Sequence, residues 1–216
     1  MPPKRPKLQT IVLAATKGGV GKTTLASALA VRATADGSRV ALLDTDPQRS
    51  LARWHELRGM PPNPKIMDVD ATTEALGLVR AQRWDYLVVD TPPALLDLIQ
   101  AAIYIADFVV IPLRPSAPDI EAVGDVVNLC NDEGKPFAFL INQMPAQGFD
   151  RLATGARKYL EDVGPIFRTQ VGFRKSYVSA MTLGKSGPEM RDKAAASEID
   201  AAWTELQKFA REHHGR

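Results

Sequence analysis

The sequence predicts an α/β fold: a doubly wound, mostly parallel sheet with helices on both faces. Three observations predict it. Short apolar runs alternate with longer amphipathic ones along most of the chain. Several of the short runs are apolar at successive positions, as strands are when helices cover both sides of their sheet. The connections between runs are short, and regular β–α alternation with short connections implies parallel crossovers.

The elements follow in order. The apolar run LQTIVLAA is the first strand candidate, and a helix is expected over Thr23 to Ala35. RVALLD is the second, followed by a helix over Gln48 to Leu57. KIMDVD and DYLVVD are the third and fourth, with helices over Thr72 to Gln82 and Leu95 to Ile105. DFVVIPL and FAFLIN are the fifth and sixth, with helices over Ile120 to Asn131 and Gly148 to Leu160. PIFRTQV is the seventh and least apolar candidate. A last helix, Ala194 to Glu212, carries Trp203, Leu206, Phe209 and Ala210 at helical spacing, a stripe suited to packing on the sheet. RGMPPNPK reads as a Pro-rich surface loop and TLGKSGPEM as a Gly/Pro loop before the final helix. No repeat, low-complexity tract or linker divides the chain, so residues 8–216 are expected to form one domain. The basic opening MPPKRPK, residues 1–7, lacks the apolar core of a secretory signal and is expected to be a disordered arm.

Composition removes several function classes. A net charge of +2 is too small for whole-molecule attraction to polyanions, so any such attraction needs local clustering. The single cysteine, Cys130, rules out an internal disulfide and a Cys₄ metal or iron–sulfur site within one chain. Its apolar helical setting suits a buried, inert thiol. No apolar run approaches the ~18 residues of a membrane span, and the cytoplasm is the expected address. His213 and His214 sit at a chain end, where they are expected to be solvated rather than metal-bound.

The strongest chemistry lies in TKGGVGKTT, Thr16 to Thr24, between an apolar strand and a helix. That is the context of a phosphate-binding loop. Gly18, Gly19 and Gly21 let backbone N–H groups converge on phosphate oxygens without obstruction by Cβ atoms. The helix opening near Lys22 adds its N-terminal dipole. Lys22 can reach β and γ phosphates, and the Thr23 hydroxyl can ligate Mg²⁺. The pattern G-x-x-x-x-G-K-[ST] holds except at its first position, which is Thr16. Two acidic strand ends accompany the loop. DYLVVD ends at Asp90, where such sheets bind ligands and a carboxylate can hold Mg²⁺ through water. ALLDTDPQ supplies Asp44 and Asp46, the second suited to orienting an attacking water or the metal shell. Asp44 has two readings, support for the phosphate loop or support for the metal shell.

KGGVGKTT, LLDTDPQRSLARW and LVVDTPP resemble the deviant Walker A, switch I and Walker B motifs of the ParA/MinD family of P-loop ATPases. FRTQVGFRKSYVSAMTLGKSGPEM and the small chain resemble compact ParA proteins that segregate plasmids and lack an N-terminal DNA-binding domain. The resemblance implies a P-loop NTPase fold and a Mg²⁺-dependent ATPase of weak intrinsic activity, with ATP and Mg²⁺ held by Gly18, Gly19, Gly21, Lys22, Thr23 and Thr24. It makes Lys17 the lysine that reaches the nucleotide of a second subunit, so that two protomers sandwich two ATP molecules. Catalytic roles then fall to Lys17, Lys22 and Asp46. The metal shell falls to Thr23, Asp46 and Asp90. Asn142, at the end of FAFLIN, falls where relatives contact adenine, although it also suits a turn.

The segment from Arg168 to Lys193 gathers Arg168, Arg174, Lys175, Lys185, Arg191 and Lys193 with few acids between them. The same resemblance places positions near Arg174 and Lys193 where basic residues bind DNA without sequence preference, so Arg174, Lys175, Arg191 and Lys193 are the DNA-binding candidates. The implied partners are a second copy on ATP, nonspecific DNA, and a small DNA-binding or cargo adaptor protein that stimulates hydrolysis. Plasmid or chromosome partition is the function implied, with nucleoid association of the ATP-bound form. A ParA-like ATPase that positions a protein cargo, such as chemoreceptor arrays or carboxysomes, would carry the same motor. A MinD-like membrane regulator fits less well, because the C-terminal stripe ends in polar residues.

Overall fold

In the computed structural model, residues 8–69, 72–145 and 150–213 are described. All seven strand candidates are strands of one sheet. The elements run β1 (Gln9–Leu13), α1 (Lys22–Ala35), β2 (Val40–Asp44), α2 (Ser50–Leu57), β3 (Lys65–Ile66), α3 (Thr72–Ala81), β4 (Tyr86–Asp90), α4 (Leu96–Ile105), β5 (Phe108–Leu113), α5 (Ala117–Glu121), α6 (Val123–Asp132), β6 (Phe137–Met144), α7 (Asp150–Val163), β7 (Ile166–Gly172), α8 (Lys175–Thr182) and α9 (Lys193–His213). The spatial order is β3-β2-β4-β1-β5-β6-β7, and every neighbouring pair is parallel. The arm 1–7 and His214 lie outside the described residues.

Strand alternation sorts side chains into two cores. On one face Ile11, Leu13, Leu42, Val88, Val110 and Leu140 pack with residues of α1, α2, α8 and α9. On the other, Val12, Ala41, Leu43, Val89, Val109 and Phe139 pack with residues of α3, α4 and α6. Adjacent residues of one strand thus enter opposite cores, which is why these runs are apolar throughout. The C-terminal stripe belongs to the first core: Trp203, Leu206, Phe209 and Ala210 are buried, and the Trp203 indole donates to Asp36 at 3.0 Å. Among the described residues no helix is long and apolar enough to cross a membrane. Cys130 is buried, and burial pushes its thiol up to about 12.

Three elements differ from expectation. The helix expected over 120–131 is two helices meeting at Ala122, and the first begins at Ala117 with proline in its first turn. The Ala122 carbonyl accepts the Thr16 hydroxyl at 3.0 Å, a contact from the phosphate-loop side that sequence periodicity does not carry. Helix α8 lies within the stretch read only as basic, where Tyr177 and Ala180 bury one face at a spacing of three. Within TLGKSGPEM, Gly187–Met190 forms a 3₁₀ turn with a capping box between Ser186 and Glu189.

Candidate nucleotide site

The site lies at the carboxyl ends of β1, β2, β4 and β6, near the point where the connection after β1 runs to one side of the sheet and the connection after β4 runs to the other. The chain leaves β1, turns through residues 14–21 and enters α1 at Lys22. Gly19 and Gly21 have φ of 73° and 91°, the left-handed region that favours glycine. Gly21 is also the N-cap of α1, and a Cβ there would overlap the Asn142 amide nitrogen.

Lys22 is 6% exposed, and its ammonium folds back on the loop. It donates to the carbonyls of Ala15 at 3.2 Å and Lys17 at 3.4 Å. Burial pulls its pKa below the ordinary lysine value, while Asp90 and Asp46 pull the other way. Asp90 is completely buried. One of its oxygens, Oδ2, accepts the Thr23 hydroxyl at 2.6 Å, and the other, Oδ1, has no protein partner. Burial pushes this carboxyl up to about 7; the Thr23 bond and Lys22 oppose the rise, and Asp44 and Asp46 add to it.

An orphaned buried carboxylate oxygen beside a threonine hydroxyl and a buried lysine fits a divalent cation brought in with phosphate. Among the described residues no group of three or more His, Cys, Asp and Glu could hold a metal ion alone. Mg²⁺ keeps waters and binds through one or two protein oxygens plus substrate phosphates. Thr23 and Asp90 are the residues that would hold it.

The remaining acids separate. Asp44 accepts the Asp46 amide at 3.1 Å on one oxygen, closing the turn after β2, and the Ala52 amide at 2.9 Å on the other, tying β2 to α2. Burial raises its pKa. Asp46 accepts the Gln48 amide at 2.9 Å and stays partly open to solvent. Lys17 is exposed on the loop. Thr24 and Asn142 line a cleft of about 70 Å³ that continues past Gln143 to Phe173 and Tyr177. The Asn142 amide donates to the Val20 carbonyl at 2.7 Å.

Arg174 also lines that cleft, and the basic residues around it in sequence differ in their partners. Lys175, Lys185, Arg191 and Lys193 are exposed. Arg174 is instead paired with Glu198, its Nε at 3.1 Å and its Nη2 at 2.6 Å, and this pairing holds its pKa above the ordinary arginine value. Lys175 and Lys193 open α8 and α9, so the positive ends of two helix dipoles add to their charge. Sequence reading passed over Gln143, whose amide donates to the Gly19 carbonyl at 2.6 Å. Its place after Asn142 at a strand end was the only available signal.

Comparison with known proteins bears on this geometry. The family model for the CobQ/CobB/MinD/ParA nucleotide binding domain matches residues 11–186. Maintenance of carboxysome distribution protein A from Halothiobacillus neapolitanus is 30% identical over 212 residues, covering 93% of this chain and 97% of its own length. The chromosome-partitioning ATPase Soj of Thermus thermophilus is 32% identical over 153 residues, covering 57% of this chain and 61% of its own. Among solved structures, the septum site-determining protein MinD from Pyrococcus horikoshii OT3, complexed with Mg-ADP, superposes with a TM-score of 0.72. It covers 97% of this chain and 100% of its own at 17% identity, a likeness of fold alone.

Proposed function

Because the chain belongs to the CobQ/CobB/MinD/ParA family of nucleotide-binding proteins, as a ParA-like ATPase, we propose that it is an ATP-gated dimer that distributes a cargo over DNA. The observation that carries the nucleotide part is the Lys22, Thr23 and Asp90 constellation at the mouth of a strand–turn–helix. Lys22 holds two backbone carbonyls until a polyphosphate offers stronger, charged acceptors for the same ammonium. Thr23 and Asp90 would hold Mg²⁺, which would neutralise phosphate charge. Asp46, half open at the end of β2, orients the attacking water.

Lys17, exposed on the loop, meets the nucleotide of a second subunit in this reading. A cation supplied in trans is worth roughly 10³–10⁵ in rate, so turnover depends on association. Dimerisation also doubles the basic surface of Lys175, Lys185, Arg191 and Lys193. Affinity for a polyanion rises steeply with the number of phosphates met, so a weak patch on one chain becomes useful on two. An adaptor protein carried by the cargo would stimulate hydrolysis and reset the pair.

Two cargoes share this motor. A relative that aligns over nearly its full length is named for carboxysome distribution, which favours a protein assembly. Plasmid or chromosome partition is the second reading, supported by the partial alignment to Soj. Binding of duplex DNA measured with ADP, ATP and a nonhydrolysable analogue tests the common mechanism. Binding selective for the triphosphate states is expected. Equal binding in all three states, or vesicle binding without DNA binding, would contradict it.

A further inference from the structure

Strand β6 does not end regularly. Between Ile141 and Met144 three steps along β6 are matched by two along β7, Gln170 to Gly172, and within that irregularity Gln143 has a φ of 54°. A left-handed glutamine inside a strand is strained, and strain of this kind persists only where the surroundings hold it. The irregularity aims two successive amide side chains at one target. Asn142 donates to the Val20 carbonyl at 2.7 Å, and Gln143 donates to the Gly19 carbonyl at 2.6 Å. Both accepting carbonyls belong to the phosphate loop. Gly21 must lack a Cβ for Asn142 to come this close.

A trans peptide unit is planar, with its C=O and N–H pointing in opposite directions. Holding the Gly19 carbonyl toward β6 therefore turns the Val20 N–H away from β6, and holding the Val20 carbonyl does the same for the Gly21 N–H. A Cβ on Gly19 would meet no atom within 4 Å, so that side of the loop stays open. We infer that Gln143, together with Asn142, is a positioning clamp that orients the phosphate-loop N–H groups before nucleotide arrives. This role rests on the phosphate-loop reading above and adds to it: the clamp reduces the ordering that binding would otherwise require.

The test compares full-length wild type, Gln143→Gly and Gln143→Met for ADP affinity by calorimetry and for nucleotide-free Tm. Glycine relieves the left-handed backbone but removes the donor; methionine keeps length and strain without the donor. A clamp predicts that both variants bind ADP about 10-fold more weakly, the scale of one hydrogen bond. It also predicts that the glycine variant's Tm is at least that of wild type, so that affinity and stability move apart. An ordinary structural role predicts affinity that follows Tm. Wild-type ADP affinity in both variants, or affinity that simply follows Tm, overturns the clamp. Failure of the wild type itself to bind ADP overturns the phosphate-loop reading, and the clamp with it.

Discussion

Asp90 places a titratable carboxyl where solvent does not reach it. Its carboxyl is completely buried with one oxygen orphaned, and it keeps its proton up to about pH 7 in the folded chain. The unfolded chain releases that proton near pH 4. Between those values the folded state binds more protons, so its stability falls as pH rises from about 4 to 7 and then levels off. Asp90→Asn removes the ionisation. In nucleotide-free, metal-free buffer its Tm relative to wild type should therefore be higher at pH 8 than at pH 5, and the same Tm difference at both pH values would show that Asp90 does not titrate this way. At this scale the sequence was legible where chemistry is local. That Lys22, Thr23 and Asp90 come together was legible because a glycine-rich strand-to-helix turn and a strand-end acid are patterns of residue type. Gln143 could not, since its role depends on a backbone irregularity between β6 and β7. Nor could the pairing of Arg174 with Glu198, which are 24 positions apart.

Among the elements, α8 and the turn after it bind the basic surface to the rest of the fold. The Trp54 indole of α2 donates to the Lys185 carbonyl at 2.8 Å, and Arg58 donates to the Gly184 carbonyl at 3.0 Å and pairs with Glu189 at 2.9 Å. Gly184 has a φ of 62°, and a Cβ there would overlap the backbone of Leu57 and Arg58. Since both backbones are fixed, Gly184→Ala should lower Tm by roughly 5–10 °C; an unchanged melting curve would mean that the turn can move away from α2. The basic residues should then divide by their partners. Removing a side chain that meets a DNA phosphate should flatten the log–log salt dependence of binding by roughly 0.9 per protomer. Lys175→Ala and Lys193→Ala should do so with little effect on Tm, whereas Arg174→Ala, which leaves Glu198 without its cation and with only the Tyr177 hydroxyl as donor among the described residues, should lower Tm and change the slope less. Identical slopes for wild type and a Lys175→Ala/Lys193→Ala double variant would move the DNA surface elsewhere. Helix α8 was hidden in the sequence because it lies within a basic stretch, although Lys175 is its one charged residue, and its short buried face is only Tyr177 and Ala180.

On the scale of the whole molecule, the fold was legible because a sheet buried on both sides writes itself as apolar runs. The alternation of Ile11 and Leu13 against Val12 into separate cores is the physical origin of that signal. The order of the strands is set by which crossovers pack together, and no single run carries it. The carboxyl ends of β1, β2 and β4 bring Lys17, Lys22, Asp46 and Asp90 to one edge, with Lys17 left exposed there. The central claim is that this edge is completed by a second copy when ATP is bound. Lys17 should be needed for that association and Asp46 only for the hydrolysis that ends it. Light scattering with ATP and Mg²⁺ on Lys17→Ala and Asp46→Ala tests this most directly. Asp46→Ala should hold twice the monomer mass and Lys17→Ala should stay at one, while a monomeric Asp46→Ala protein or a dimeric Lys17→Ala protein would contradict the account.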